Sequence, residues 1–158
     1  MTKIVQWLKA DTKKRRRFFK EAEKEIADIN LRTLHTFSLM TVLLLVLYML
    51  LTPFIIRAWK PTSYHIIFLF CSILFAFAIH FLKKKISQYN TLVLFLCLFF
   101  EIMVYGFVIL IDTVGVPKGP GVFIPTLCVA LSASFVFPYW LCFGSLIFFD
   151  TVYICFVL

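Results

Sequence analysis

Apolar runs of about twenty residues, broken only by short polar turns, constrain this chain more than any other feature. A bilayer core takes about 20 apolar residues as helix, and lipid admits only helices or closed barrels. Continuous rather than alternating runs predict helices. The first span is expected at 34–56, "LHTFSLMTVLLLVLYMLLTPFII", and the second at 63–82, "SYHIIFLFCSILFAFAIHFL", ending at the "KKK" of 83–85. The third is expected at 91–111, followed by the Gly/Pro-rich turn "DTVGVPKGPG" at 112–121. A short run at 122–137 and a last one at 139–158 are separated only by "PYW", so one long broken segment competes with two spans there. The fold class is therefore all-α, a polytopic transmembrane helical bundle of about five spans, preceded by a basic cytoplasmic helix over 1–33.

Composition agrees. The chain is 62% hydrophobic and 15% charged, with 20 Phe in 158 residues, whereas soluble domains are nearer half apolar and about a quarter charged. A cleavable leader has an apolar core of about 7–15 residues. Here the first apolar run exceeds that, and the charged region before it is long.

Charge sets the orientation. Ten of the sixteen Lys and Arg lie in residues 1–32. Placing the N-terminus in the cytoplasm puts these inside with Lys83, Lys84 and Lys85, against Arg57, Lys60 and Lys118 outside. The positive-inside rule favours that arrangement. Trp59 beside Tyr64 and Tyr139 beside Trp140 fall at span ends, where interfacial aromatics belong. The C-terminus is then outside after five spans, and "YICFVL" carries no flanking charge, so the chain is expected to be cut before a further span.

The basic tail favours anionic lipid over nucleic acid as its partner, because it directly precedes a span. Lys13, Lys14, Arg15, Arg16 and Arg17 are the expected lipid-binding residues. "IVQWL" (4–8) is suited to a membrane surface as a short amphipathic turn. The following segment reads as helix, with Phe18, Ala22, Ile26 and Ile29 at three- or four-residue spacing. Arg17 with Glu21 and Lys24 with Asp28 are expected i,i+4 pairs. A solvated helix that only fixes topology carries comparable weight.

The ionisable residues within spans are the most informative. A charge at the bilayer centre costs about 2.5–3.5 kcal/mol on insertion scales, so such residues normally face a bundle interior. Glu101 and Asp150 fall at nearly the same expected depth, about 15 Å from the cytoplasmic face at 1.5 Å per residue, with no Lys or Arg at that level. They are expected to form an intramembrane polar site, at least one protonated and titrating as a pair if they touch, with Tyr105 one turn beyond Glu101 able to donate to it. That site suits a proton, a cation or a small ligand. The plain alternative is polar glue between helices.

Polar stripes are expected to line the interior: His35, Ser38, Thr41, Tyr48 and Thr52 in the first span, Ser72, Ala76 and His80 in the second, and Cys97, Glu101, Tyr105 and Asp112 in the third. Ala130, Ser132, Ala133 and Ser134 in the fourth are small enough for close helix approach. His35 and His80, near the cytoplasmic ends of adjacent spans, are candidate pH-sensing residues. Cys71, Cys97, Cys128, Cys142 and Cys155 all sit in apolar runs without CxxC or Cys/His spacing. They read as small buried hydrophobes, with no metal site, disulfide framework or cofactor. No HExxH, GxSxG, P-loop or dinucleotide fingerprint occurs, so the chain is not expected to be an enzyme.

The entry "EAEKEIADINLRTLHTFSLM", above all its "DINLRTLH", the external "WKP" loop, the "KKK" return and "FIPTLCVALSASFVFP" together resemble the membrane sensor regions that precede GGDEF (diguanylate cyclase) domains in clostridial-type bacteria. That resemblance implies a five- or six-span sensory module joined to a cytoplasmic output domain making cyclic di-GMP, with a possible homodimer. No GGDEF motif stands in this chain. A small transporter or substrate-binding membrane subunit using Glu101 and Asp150 is the alternative, and an assembly subunit without ligand a third class.

Overall fold

The computed structural model describes residues 2–55, 60–86, 89–111, 130–131 and 133–157. Among these the chain is helical, without strands, in five helices: α1 (Thr2–Glu21), α2 (Glu23–Ile55), α3 (Ser63–Ile86), α4 (Asn90–Leu110) and α5 (Tyr139–Val157). Three of them, α2, α3 and α4, are long and apolar enough to cross a membrane, and α5 contributes a shorter apolar helix over Trp140–Cys155. The expected run at 122–129 with Cys128, the 112–121 turn, Arg57 and Trp59 lie outside the described residues.

The first span does not begin at a structural boundary. α2 starts eleven residues before the expected span, in charged sequence, and continues through it as one 33-residue helix. Pro53 sits inside the last turn, close to where the helix stops. The division at 33/34 between tail and membrane domain is thus a change of composition within one rod.

The tail itself is one helix, α1, covering both the 4–8 turn and the basic run. It joins α2 at Ala22 with the ladder intact: the Ala22 N–H donates to Phe18 O and the Ile26 N–H to Ala22 O, both at 2.9 Å. Arg17 pairs with Glu21 at 2.6 Å as expected. Asp28 is taken by Arg32 at 2.7 Å rather than by Lys24, and Asp11 holds Arg15 at 2.7 Å. The buried stripe also differs from expectation. It runs through Ile26, Ala27, Asn30, Leu31, Leu34 and Ser38, while Phe18 and Ile29 are exposed.

Ring pairs fix the arrangement of the bundle. His35 meets His80 and Tyr48 meets His65, so α2 and α3 are antiparallel. Phe68 stacks on Phe107 and Phe75 on Phe100, so α3 and α4 are antiparallel too. α2 and α4 then run parallel, with Cys97 reaching the backbone of Asn30. α5 packs on α4 through Tyr105 and Phe149, whose ring centroids lie 4.0 Å apart. The outer surface is dressed with Leu, Ile and Phe, as lipid requires.

Pro138 ends the non-helical segment 135–138 and starts α5. Its carbonyl accepts the Leu141 N–H at 2.9 Å and the Cys142 N–H at 3.2 Å. Phe135 and Phe137 turn into the core, whereas Ala130 and Ala133 are exposed. Of the other small residues expected there, Ser134 is half-buried and Ser132 lies outside the described residues.

Candidate functional site: a buried carboxyl in the bundle core

α4 carries its polar stripe inward. Cys97, Glu101 and Tyr105 are each 0% exposed, successive residues at i+4 on one face. Val93, Phe100 and Val104 complete the apolar surroundings on the same helix. Neither carboxyl oxygen of Glu101 has a hydrogen-bond partner among the described residues. The Cys97 and Cys142 thiols lie close enough to interact electrostatically with it, one from its own helix and one from α5. Buried polar groups are ordinarily satisfied, so a carboxyl with both oxygens unpaired in an apolar interior is an unfinished site. The neutral, protonated acid is the form such a setting tolerates.

Two expected partners are not where the sequence reading put them. Tyr105 does not donate to Glu101, since the carboxyl accepts no bond there; its ring lies against Phe149 instead. Asp150 is exposed on the outer face of α5. The cause is azimuth. Phe149, 4% exposed, takes the inward position, and the next residue is rotated by about 100° on a helix of 3.6 residues per turn. Asp150 therefore does not face Glu101 in the interior of the bundle.

The histidines divide into two groups. His35 Nε2, well inside α2, and His80 Nδ1, in the last third of α3, approach to 3.1 Å, so the structure brings together the two residues singled out from sequence. One ring must donate and the other accept, and a doubly protonated pair has no acceptor. His65, which sequence reasoning passed over, is 3% exposed. It closes the start of α3 with Thr62: the His65 N–H donates to Thr62 O at 3.1 Å, and His65 Nδ1 accepts the Thr62 N–H at 3.4 Å and faces Thr62 Oγ1 at 2.6 Å. This is half of a capping box: the imidazole accepts the Thr62 N–H in the place usually held by Glu or Gln, while the Thr62 hydroxyl faces the ring and the His65 N–H goes to the Thr62 carbonyl. The signal was the Thr-x-x-His spacing at 62–65.

Asn30 is the other residue missed. It is 0% exposed. Its Nδ2 donates to Val136 O at 3.1 Å and its Oδ1 accepts the Val136 N–H at 2.7 Å, so one side chain satisfies both backbone groups of a non-helical residue. Because a carbonyl only accepts and an N–H only donates, this pairing fixes the amide orientation. The Cys97 thiol also reaches Asn30 O at 4.0 Å. Asn30 thereby joins α2, α4 and the start of α5.

Of the other stripes, Ser38, Thr52, Ser72 and Ala76 are buried, and His35 and Thr41 half-buried; Tyr48 is exposed. Cys97 is buried and Cys142 half-buried, but Cys71 and Cys155 lie on the outer surface. A thiol is at home in lipid as well as in a core, so the apolar run around a cysteine does not tell which way it points. Among the described residues there is no group of three or more His, Cys, Asp or Glu suited to a metal ion. Neither a family model, nor a curated protein, nor a solved structure matches this chain.

Proposed function

We propose that this chain is a membrane-embedded sensory and signal-transduction module, in which occupancy or protonation at Glu101 is passed to the basic cytoplasmic helix. The observation that carries the reading is the fully buried Glu101 carboxyl with both oxygens unpaired among the described residues. One turn away, Cys97 touches the backbone of Asn30, and Asn30 belongs to the helix that continues into the charged tail. A proton, cation or small polar ligand that finishes the Glu101 site alters the packing of α4 on α2, and α2 delivers the shift to α1.

In its fuller form the proposal makes this a five-span module in a bacterial cell membrane, N-terminus in the cytoplasm, tail against anionic lipid, and acting as the N-terminal part of a cyclic di-GMP signalling protein. The resemblance to sensor regions preceding GGDEF domains supports that output. Charge asymmetry supports the orientation. A cysteine introduced at Lys118 is expected to react with an impermeant thiol reagent added outside intact cells, and one at Lys84 is not. The reverse pattern overturns the orientation.

The sensor reading is tested on the full chain in nanodiscs, with spin labels at exposed Lys20 of α1 and Ile147 of α5 on a cysteine-free background. The distance distribution is expected to change between pH 5 and pH 9 or on adding cations, and Glu101→Gln is expected to abolish that change. Identical distributions for both proteins under every condition leave Glu101 as structural glue.

A further inference from the structure

Two recesses meet at Trp140. One, about 170 Å³, lies between α1 and the start of α5 and is lined by Thr12, Arg15, Arg16, Phe19, Pro138 and Trp140. The other is an almost wholly apolar groove of about 250 Å³ between α4 and α5. From Trp140 it follows α5 past Leu141, Gly144 and Phe148, with Leu98 and Ile102 of α4 as its opposite wall. Residues 140, 144 and 148 recur every four positions, so the groove runs up one face of α5. That distance is about 12 Å at 1.5 Å per residue.

The polarity of this double recess matches one kind of molecule. Its basic end is at the tail, level with an interfacial tryptophan, and its apolar end points along a membrane helix. We infer that it binds an anionic glycerophospholipid of the cytoplasmic leaflet lengthwise, the phosphate between Arg15, Arg16 and Thr12 and one acyl chain in the α4–α5 groove.

Guanidinium groups hold phosphate oxygens by paired, charge-assisted bonds. Arg16 is exposed and makes no ion pair among the described residues, and Arg15 is steadied by Asp11 at 2.7 Å. Trp140, 63% exposed, is of the type that settles at headgroup level. The groove is open beside Gly144, where a Cβ would meet nothing within 4 Å, so there is room at that point for a chain to lie or for a large side chain to block it. This goes beyond a polybasic tail drawn to a charged surface, because it distinguishes Arg15 and Arg16 from Lys13 and Lys14, which do not line the recess.

The test is lipid retention by the full chain in detergent, read by native mass spectrometry, with dioleoyl phosphatidylglycerol against dioleoyl phosphatidylcholine. Phosphatidylglycerol is expected to be retained preferentially. Arg15→Gln with Arg16→Gln should weaken its binding about tenfold or more, the scale of a lost charge-assisted contact. Lys13→Gln with Lys14→Gln, the same charge change outside the recess, should change it little. Arg16→Gln alone, which breaks no ion pair, guards against a folding defect. Gly144→Phe should weaken dioleoyl but not dihexanoyl phosphatidylglycerol. Equal losses from the arginine and lysine pairs overturn the site in favour of a diffuse field. Indifference to Gly144→Phe overturns the lengthwise pose, and displacement of the lipid by millimolar inorganic phosphate assigns the recess to free phosphate instead.

Discussion

Asn30→Ala is expected to destabilise the bundle by about 2–4 kcal/mol and to release 135–138 from α2. Asn30 supplies one donor and one acceptor to Val136, and its removal leaves an N–H and a C=O without partners in a half-buried position. Each group so stranded costs about 1–3 kcal/mol, reduced in a membrane setting where alternative partners are found. Asn30→Leu separates volume from hydrogen bonding, since it fills the space and restores neither bond. Asn30→Asp keeps an acceptor for the Val136 N–H but sets oxygen against the Val136 carbonyl, so it should be destabilised as well. Unfolding in mixed micelles gives the stability. Alkylation of a cysteine placed at Val136 reports release of the segment. A stable Asn30→Ala protein with an unreactive 136 position would show that Phe135 and Phe137 hold the segment without Asn30.

The reason Asn30 escaped sequence reading is specific. It lies in "EKEIADINLR", where polar residues dominate and one more amide carries no weight. The buried stripe was nevertheless present as Ile26, Ala27, Asn30, Leu31 and Leu34, at i, i+1, i+4, i+5 and i+8. A helix entering lipid surrenders that signal within another turn, because the outside becomes as apolar as the inside. The apolar runs at 34–56, 63–82 and 91–111 were legible, and the helices over them end within a few residues of the expected limits apart from the early start of α2. Run length follows from the thickness of the bilayer. Rotation about each helix axis follows from packing, and packing is not written in hydropathy.

Polar residues are the exception, since only they distinguish lipid from core. The inward face of Cys97, Glu101 and Tyr105 was therefore readable on α4. The same reasoning failed for Asp150, where the choice lay between two neighbours. Burying Phe149 against Tyr105 won, and the carboxyl was carried outward. The meeting of His35 with His80 followed from antiparallel neighbours joined by a short loop. The recess at Arg15, Arg16 and Trp140 was beyond reach, because it depends on how α1 lies against α5.

Glu101→Lys is expected to abolish folding of the bundle or its stable insertion, whereas Glu101→Gln keeps both. The position is 0% exposed. A lysine at the centre of a span costs about 2.5–3.5 kcal/mol on insertion scales, and its longer side chain must be accommodated between Phe100, Val104 and the packed face of α5. Stability of a single domain is itself only about 5–15 kcal/mol, so the sum of about 4–6 kcal/mol is a large share of it and at the low end of that range all of it. Glutamine is close in shape to a protonated glutamic acid, and both are uncharged. Its amide faces the same shortage of partners, so the difference from wild type should be within about 1 kcal/mol. The measurement is the yield of monodisperse protein in mild detergent and the midpoint of thermal unfolding for the three proteins side by side. Glu101→Lys at wild-type yield and midpoint would mean that position 101 reaches water or headgroups, and with it the buried-carboxyl site would be lost. A large loss from Glu101→Gln carries the opposite lesson: the carboxylate is charged in the resting protein and a cation, supplied from outside the chain, is what holds it.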